Sequence, residues 1–281
     1  MRELVSADWL KGELGKPDIV LFDATYYLPP EGKDGPALFE QAHIPGARFF
    51  DINEVADPET DLPHMAPSPG RAAKLLGQLG VDQDARVVFY DQKGLFSAAR
   101  GWWLLRLFGH EKVAVLDGGL PKWRAEGGTV DSGPAPAPRP ATFWADFVSR
   151  RLAGIGDVKR VVAEGGAQIV DARPTGRFDG SSPEPRPGLP SGHMPGACSV
   201  PAGALLAPDQ TMLPPETLRG IFGRAGIDGS TPVIASCGTG VTACVVALGM
   251  VHAGLPEPAV YDGSWTEWAA RPDTAKEGSA P

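Results

Sequence analysis

Two patterns of apolar residues take turns along the chain. Short runs such as QIVDAR (168–173), TPVIAS (231–236) and PAVYDGS (258–264) are unbroken and bounded by turn residues. They predict strands. DVKRVVAEG (157–165) and PPETLRGIFGRAG (214–226) instead space their apolar residues three and four apart, which predicts helices. The second of these opens on prolines and closes on a glycine, as helices do. ACVVALGMVHAG (243–254) is an apolar helix, and WTEWAAR (265–271) a short one. Because the strand runs do not alternate with polar residues, they predict a mostly parallel sheet buried by helices on both faces, an α/β fold.

The same order of segments occurs twice. IVLFDATYYL (19–28) matches QIVDARPTGRF (168–178), and AHIPGARFFDINEV (42–55) matches GHMPGACSVPAGAL (192–205). LLGQLGVDQDARVVFYD (75–91) matches IFGRAGIDGSTPVIASC (221–237), and LDGGLPKWRAEG (116–127) matches YDGSWTEWAARP (261–272). The aligned pairs Asp23 and Asp171, His43 and His193, Asp91 and Cys237, and Asp117 and Asp262 stand 145 to 150 positions apart. The chain therefore reads as two copies of one domain, 1–130 and 143–281. They are joined by DSGPAPAPRPAT (131–142), whose prolines predict a semi-rigid extended linker.

Bulk composition narrows the function classes. At 42% hydrophobic residues the chain can bury sizeable cores. Glycine and proline, about 23% together, stay just below the low-complexity range. A net charge of −8 argues against a nucleic-acid partner, and an anionic substrate would need locally placed arginines. The first residues, MRELVSADWLKGEL, lack the apolar core of a signal peptide, and no run approaches the length of a membrane span. Three cysteines, Cys198, Cys237 and Cys244, form neither a disulfide framework nor a zinc pattern, so free thiols in a reducing cytoplasm are expected and no metal.

Cys237 is the thiol placed for chemistry. It ends a strand run and opens the turn Gly238-Thr239-Gly240-Val241-Thr242 ahead of the apolar helix. The C-terminal end of a strand in an open α/β sheet is the usual ligand site. Glycines let successive N–H groups converge on one point, an anion-binding nest backed by a helix N-terminus, with Thr242 as the expected N-cap. Such a nest should favour a thiolate and could hold a charged sulfur adduct. Cysteine phosphatases share a C-x5-R loop, but here that sixth position is Ala243, so sulfur chemistry fits better than phosphate chemistry. Cys244 inside the apolar helix and Cys198 at a strand entry read as packing residues.

The duplicated domain, the H-x-P-G-A segments, the D-G-G and D-G-S elements and the six-residue loop resemble the tandem rhodanese family over nearly the whole chain. Within it, C-G-T-G-V-T followed by A-C is similar to the 3-mercaptopyruvate branch; the thiosulfate-using branch carries charged side chains here, of the C-R-K-G-V-T kind. The resemblance implies two rhodanese-like domains with only the second catalytic, in keeping with Asp91 where the second copy has Cys237. It implies a Cys237 persulfide passed to a thiol acceptor (a small thiol or a thioredoxin-like protein) or to cyanide, with no cofactor, and Arg177 and Arg186 as ligands of the substrate carboxylate and ketone. It also implies a histidine and acidic residues acting with the loop hydroxyl. His64, in a proline-flanked loop of the first copy, and Thr239 match that picture. Asp51 reads as structural, and Asn53 stands where some members have an aspartate. Arg173 reads as an ion-pair partner of Asp171, and His43 and His193 as equivalent packing residues. Two other readings remain: a thiosulfate:cyanide sulfurtransferase, and a non-catalytic interaction module.

Overall fold

In the computed structural model, which describes residues 1–278, the first half builds five strands: β1 (Leu4–Val5), β2 (Ile19–Asp23), β3 (Arg48–Phe49), β4 (Arg86–Tyr90) and β5 (Val113–Leu116). They lie in the order β1-β5-β4-β2-β3. The second half repeats the plan with β6 (Leu152–Ala153), β7 (Gln168–Asp171), β8 (Cys198–Ser199), β9 (Val233–Ser236) and β10 (Ala259–Tyr261), ordered β6-β10-β9-β7-β8. Every neighbouring pair is parallel. Parallel neighbours require crossovers, and the predicted helices Ile155–Glu164, Pro215–Arg224 and Ala243–His252 lie in them in the second half, while Ser264–Ala270 follows the last strand.

Burial on both faces explains the unbroken strand runs. Val88 and Tyr90 of β4 join Leu10, Phe39 and Trp123 in one core. Phe89, between them, stacks on Phe22 at 5.3 Å and meets Phe50 edge-on at 5.1 Å. In the second half Ile169, Ile234 and Tyr261 pack with Val158, Trp265 and Trp268. Helix Ala243–His252 packs on β9 and β10 and is buried from Ala243 to Met250, as an all-round apolar helix must be.

Two compact units result, and their membership departs from a simple cut in the sequence. The first comprises Met1–Pro58, Ala66–Val148 and Ala207–Met212. The second comprises Glu59–Met65, Ser149–Leu206 and the chain from Leu213 onward. Each copy thus donates one short segment to the other unit. The stretch 131–142, expected as a spacer, belongs to the first unit. Asp131 pairs with His43 as an antiparallel bridge, and Ala141 N–H donates to Gly77 O at 2.8 Å. Its prolines leave few donors, and these two are used within that unit.

The repeated H-x-P-G segments do the same work twice. His43 stacks on Phe39 at 4.1 Å with Nδ1 2.9 Å from Phe39 O. His193 stacks on Phe178 at 3.9 Å with Nδ1 2.8 Å from Phe178 O. Among the described residues no helix is long and apolar enough to cross a membrane.

The copies differ at the ends of β2 and β7. Asp171 is paired with Arg173, whereas its counterpart Asp23 has Thr25 and Gln92 as neutral donors. Asp23 is fully buried, and burial, aided by the nearby Asp91 charge, pushes its pKa up to about 6. The folded protein therefore binds this proton more tightly than the unfolded chain, where an aspartate titrates near ~3.9. Its contribution is most favourable below about pH 4, declines as pH rises to about 6, and is then on the order of 3 kcal/mol weaker. Urea melts of Asp23→Asn should lack this decline, so that the stability difference from wild type changes sharply between pH 4 and 6.5; a difference independent of pH would refute the assignment.

Candidate active site

The C-terminal ends of β7, β9 and β10 lie side by side, with Asp171 opposite Ser236 and Val260 opposite Ala235. Cys237 follows β9 directly and is 2% exposed. The turn after it is held from the start of helix Ser264–Ala270. Trp265 N–H donates to Cys237 O at 2.9 Å, and Thr266 donates to Gly238 O through N–H at 3.0 Å and Oγ1 at 2.7 Å. Ser264 Oγ accepts from the N–H groups of Cys237 and Gly240, both at 3.1 Å, and donates to Tyr261 O at 2.7 Å. Among the described residues, the N–H groups of Gly238, Thr239, Val241 and Thr242 donate to no protein acceptor. These are the groups an anion at the turn would use. Thr242 is the residue before the helix, but its backbone is already helical and its side chain makes no cap, contrary to expectation. The helix-end N–H groups are thereby left without a side-chain acceptor.

The equivalent turn of the first unit is filled by the chain itself. Asp91 Oδ2 accepts from the N–H groups of Phe96, Ser97 and Ala98 at 2.8–2.9 Å, and Oδ1 from Lys93 N–H at 2.9 Å. A negative charge thus sits in the nest where the second copy has a thiol. The copies diverge at one supporting position too. Ser264 stands where the first copy has Gly119, and both are left-handed, at φ 51° and 54°. Glycine takes this conformation freely; a serine in it costs roughly 1–2 kcal/mol. The hydroxyl that organises the turn is kept in spite of that cost.

His64 and Thr239 meet inside the second unit, with Nδ1 and Oγ1 2.9 Å apart and both residues buried. His64 itself is left-handed at φ 63°. Asp51 caps the short helix Ile52–Val55, accepting from Asn53 N–H at 2.8 Å and Asn53 Nδ2 at 3.1 Å, which is a structural task. Cys244 donates to Gly240 O at 3.2 Å from full burial, and Cys198 lies in β8 with its pKa raised by burial.

Arg173 is fully buried in packing. It bonds both Asp171 oxygens, donates to Gly192 O at 2.6 Å and lies 4.4 Å over the Trp265 ring. Its Nη1 also donates to Glu184 Oε1 at 2.7 Å. Arg177 grips the same carboxylate through Nε, at 3.0 Å, and Nη2. That Nη2 reaches the cysteine turn: a Cβ added to Gly238 would come within 3.0 Å of it. Arg186 lies half-buried on the same proline-rich segment. Among the described residues it has no hydrogen bond or ion pair. Sequence reasoning passed over Glu184 and Ser264. The exchange of D-G-G for D-G-S between the copies was a visible signal for Ser264. Glu184 left none, since its partners are fixed only by folding. Among the described residues no group of three or more His, Cys, Asp or Glu side chains is arranged to hold a metal ion.

The model of the rhodanese-like domain matches the chain twice, over residues 6–126 and 155–271. The chain belongs to the rhodanese-like family. A curated Arabidopsis thaliana relative named thiosulfate/3-mercaptopyruvate sulfurtransferase 2 is 44% identical, over 99% of this chain and 87% of its own. The Homo sapiens 3-mercaptopyruvate sulfurtransferase is 42% identical, over 99% and 96%. Among solved structures, SseA from Escherichia coli, described as a 3-mercaptopyruvate sulfotransferase with the rhodanese fold, superposes with a TM-score of 0.84 at 38% identity, covering 94% of this rhodanese-like chain and 99% of its own.

In the rhodanese-like second unit, Ser264→Ala removes the acceptor of two turn N–H groups. It should lower stability by about 1–3 kcal/mol in urea melts and slow sulfur transfer well beyond that loss of folded protein; full activity in the variant would show that the turn keeps its shape without the hydroxyl.

Proposed function

We propose that this protein is a 3-mercaptopyruvate sulfurtransferase and that its second unit carries the reaction on Cys237. The observation that carries the reading is a thiol opening a turn of acceptor-free N–H groups, with the Arg177 guanidinium against that turn. The names of the relatives support it.

In the first step the Cys237 thiolate attacks the thiol sulfur of 3-mercaptopyruvate. A sulfur–sulfur bond forms as the carbon–sulfur bond breaks, and the electron pair of the broken bond leaves as pyruvate enolate. Arg177 and Arg186 hold the carboxylate and the ketone oxygen, and the interaction strengthens as charge builds on the enolate. The enolate carbon then takes up the proton released by the persulfide, through water or by way of Thr239 and His64. The turn N–H groups hold the charged persulfide. A thiol acceptor or cyanide attacks its outer sulfur, and Cys237 departs as thiolate. These steps call for no metal or organic cofactor, and the covalent intermediate implies ping-pong kinetics. Three free thiols agree with a reducing compartment, which we take to be the cytoplasm, where a small thiol or a thioredoxin-like protein can serve as acceptor.

Thiosulfate is the second donor to consider, because the Arabidopsis relative is named for both. The neutral turn favours mercaptopyruvate, since a dianion gains most from cations placed in the turn itself.

Intact-mass measurement after exposure to 3-mercaptopyruvate should show one added sulfur on the wild-type chain and none on Cys237→Ser; an unmodified wild type would overturn the reading. Arg186→Ala should raise the KM for mercaptopyruvate, losing about 10–100-fold in kcat/KM, while thiosulfate turnover falls less; equal losses would refute carboxylate recognition by this arginine.

A further inference from the structure

The Arg177 guanidinium is not a free cation at the site. Glu184, with its side chain 2% exposed, takes its Nε and Nη2 edge, and the Oε1 of the same carboxylate also accepts from Arg173 Nη1. Arg173 is in turn bound to Asp171 at the end of β7. The four side chains form one continuous series, Asp171–Arg173–Glu184–Arg177, of alternating sign and zero net charge. Arg186 is the one predicted substrate ligand outside it. With Nε and one Nη2 hydrogen engaged, Arg177 keeps its Nη1 hydrogens and the other Nη2 hydrogen for a ligand. Its Nη2 is fixed beside Gly238.

We propose that Glu184 is a positioning residue that sets donor preference. It locks the Arg177 guanidinium against the cysteine turn and cancels its charge, so the site offers hydrogen-bond donors from Arg177 but one uncompensated positive charge, that of Arg186. A donor with a single carboxylate matches this arrangement. A dianion such as thiosulfate brings a second negative charge for which the series, at zero net charge, supplies no counter-charge. The proposal rests on the sulfurtransferase reading above and refines it: selectivity comes from the carboxylate behind the arginine as well as from the neutral turn.

Glu184→Gln and Glu184→Asp in the full-length chain separate the two roles, with folding followed by circular dichroism and both donors assayed. Glu184→Gln removes one negative charge and leaves the series with a net charge of about +1. The ratio of kcat/KM for thiosulfate over mercaptopyruvate should rise about tenfold or more. The KM for thiosulfate falls, that for mercaptopyruvate rises, and the thiosulfate rate becomes more sensitive to salt. Glu184→Asp keeps the charge but is one methylene shorter. Its donor ratio should stay within about threefold of wild type, with a raised mercaptopyruvate KM from the loosened Arg177. Equal loss toward both donors in Glu184→Gln, the pattern of a merely structural residue, overturns the proposal. So does a shift in Glu184→Asp as large as in Glu184→Gln. If Glu184→Gln does not fold, Glu184→Asp decides, and an unchanged mercaptopyruvate KM refutes the positioning role. Wild type that fails to turn over mercaptopyruvate refutes the underlying reading; wild type that does so, with the donor ratio unmoved in Glu184→Gln, refutes this inference alone.

Discussion

A turn can offer N–H groups to a charge only when its own carbonyl oxygens are occupied elsewhere, because the two alternate along the backbone and neither tolerates burial without a partner. After β9 the start of helix Ser264–Ala270 meets this demand. The N–H groups of Trp265 and Thr266 take the carbonyls of Cys237 and Gly238, and the Ser264 hydroxyl accepts from two of the turn's N–H groups. Trp265 extends the arrangement. Its indole Nε1 donates to Pro190 O at 2.8 Å, and its ring lies beneath the Arg173 guanidinium. One residue therefore ties the cysteine turn both to the proline-rich segment and to the ion-pair series that fixes Arg177. Displacing it would disturb the thiol and its cation together.

The first unit shows the same scaffold with Asp91 in the place of Cys237. Leu120 N–H holds Asp91 O at 3.0 Å, as Trp265 holds Cys237 O. The turn then folds back on the Asp91 carboxylate, which takes three N–H groups on one oxygen. A carboxylate supplied by the chain is a permanent charge that cannot leave. A cysteine in that place gives a charge that can be formed, extended by one sulfur and restored. The supporting position follows the same division: glycine where conformational freedom suffices, and serine, at a conformational cost, where the turn has to be held open.

The covering of each sheet by helices was legible because burial on both faces writes itself as unbroken apolar runs, and the duplication was legible because aligned residues keep a near-constant spacing. Cys237 was singled out by its place at a glycine-rich strand end, whereas Arg177, Thr239 and His64 came with the family resemblance; in the structure Arg177 Nη2 lies beside the turn and His64 meets Thr239. What escaped was non-local. Glu184 sits among prolines with no periodicity to mark it, and its two guanidinium partners are fixed by the fold. Residues 59–65 and 207–212 pack with the unit of the opposite copy, which no local pattern reports. Thr242 has the right residue type for a cap, yet its helical backbone turns the hydroxyl away from that task.

Charge can be brought to a thiolate turn in two ways that compete for the same space here. A long cationic side chain at position 238 would begin with a Cβ pressed to 3.0 Å from Arg177 Nη2. A turn that carried its own cation would push Arg177 aside, whereas a bare turn takes its cation from the segment beyond β7. The second route has a consequence that the first lacks. A guanidinium carried on a separate segment can be backed by a carboxylate, and that carboxylate by a further arginine, without crowding the N–H groups. Buried charges left unpaired are strongly destabilising, whereas alternating ones hold each other in place. The series from Asp171 to Arg177 is thus the condition under which a glycine-lined turn can remain open to sulfur and still have a rigid cation at its edge.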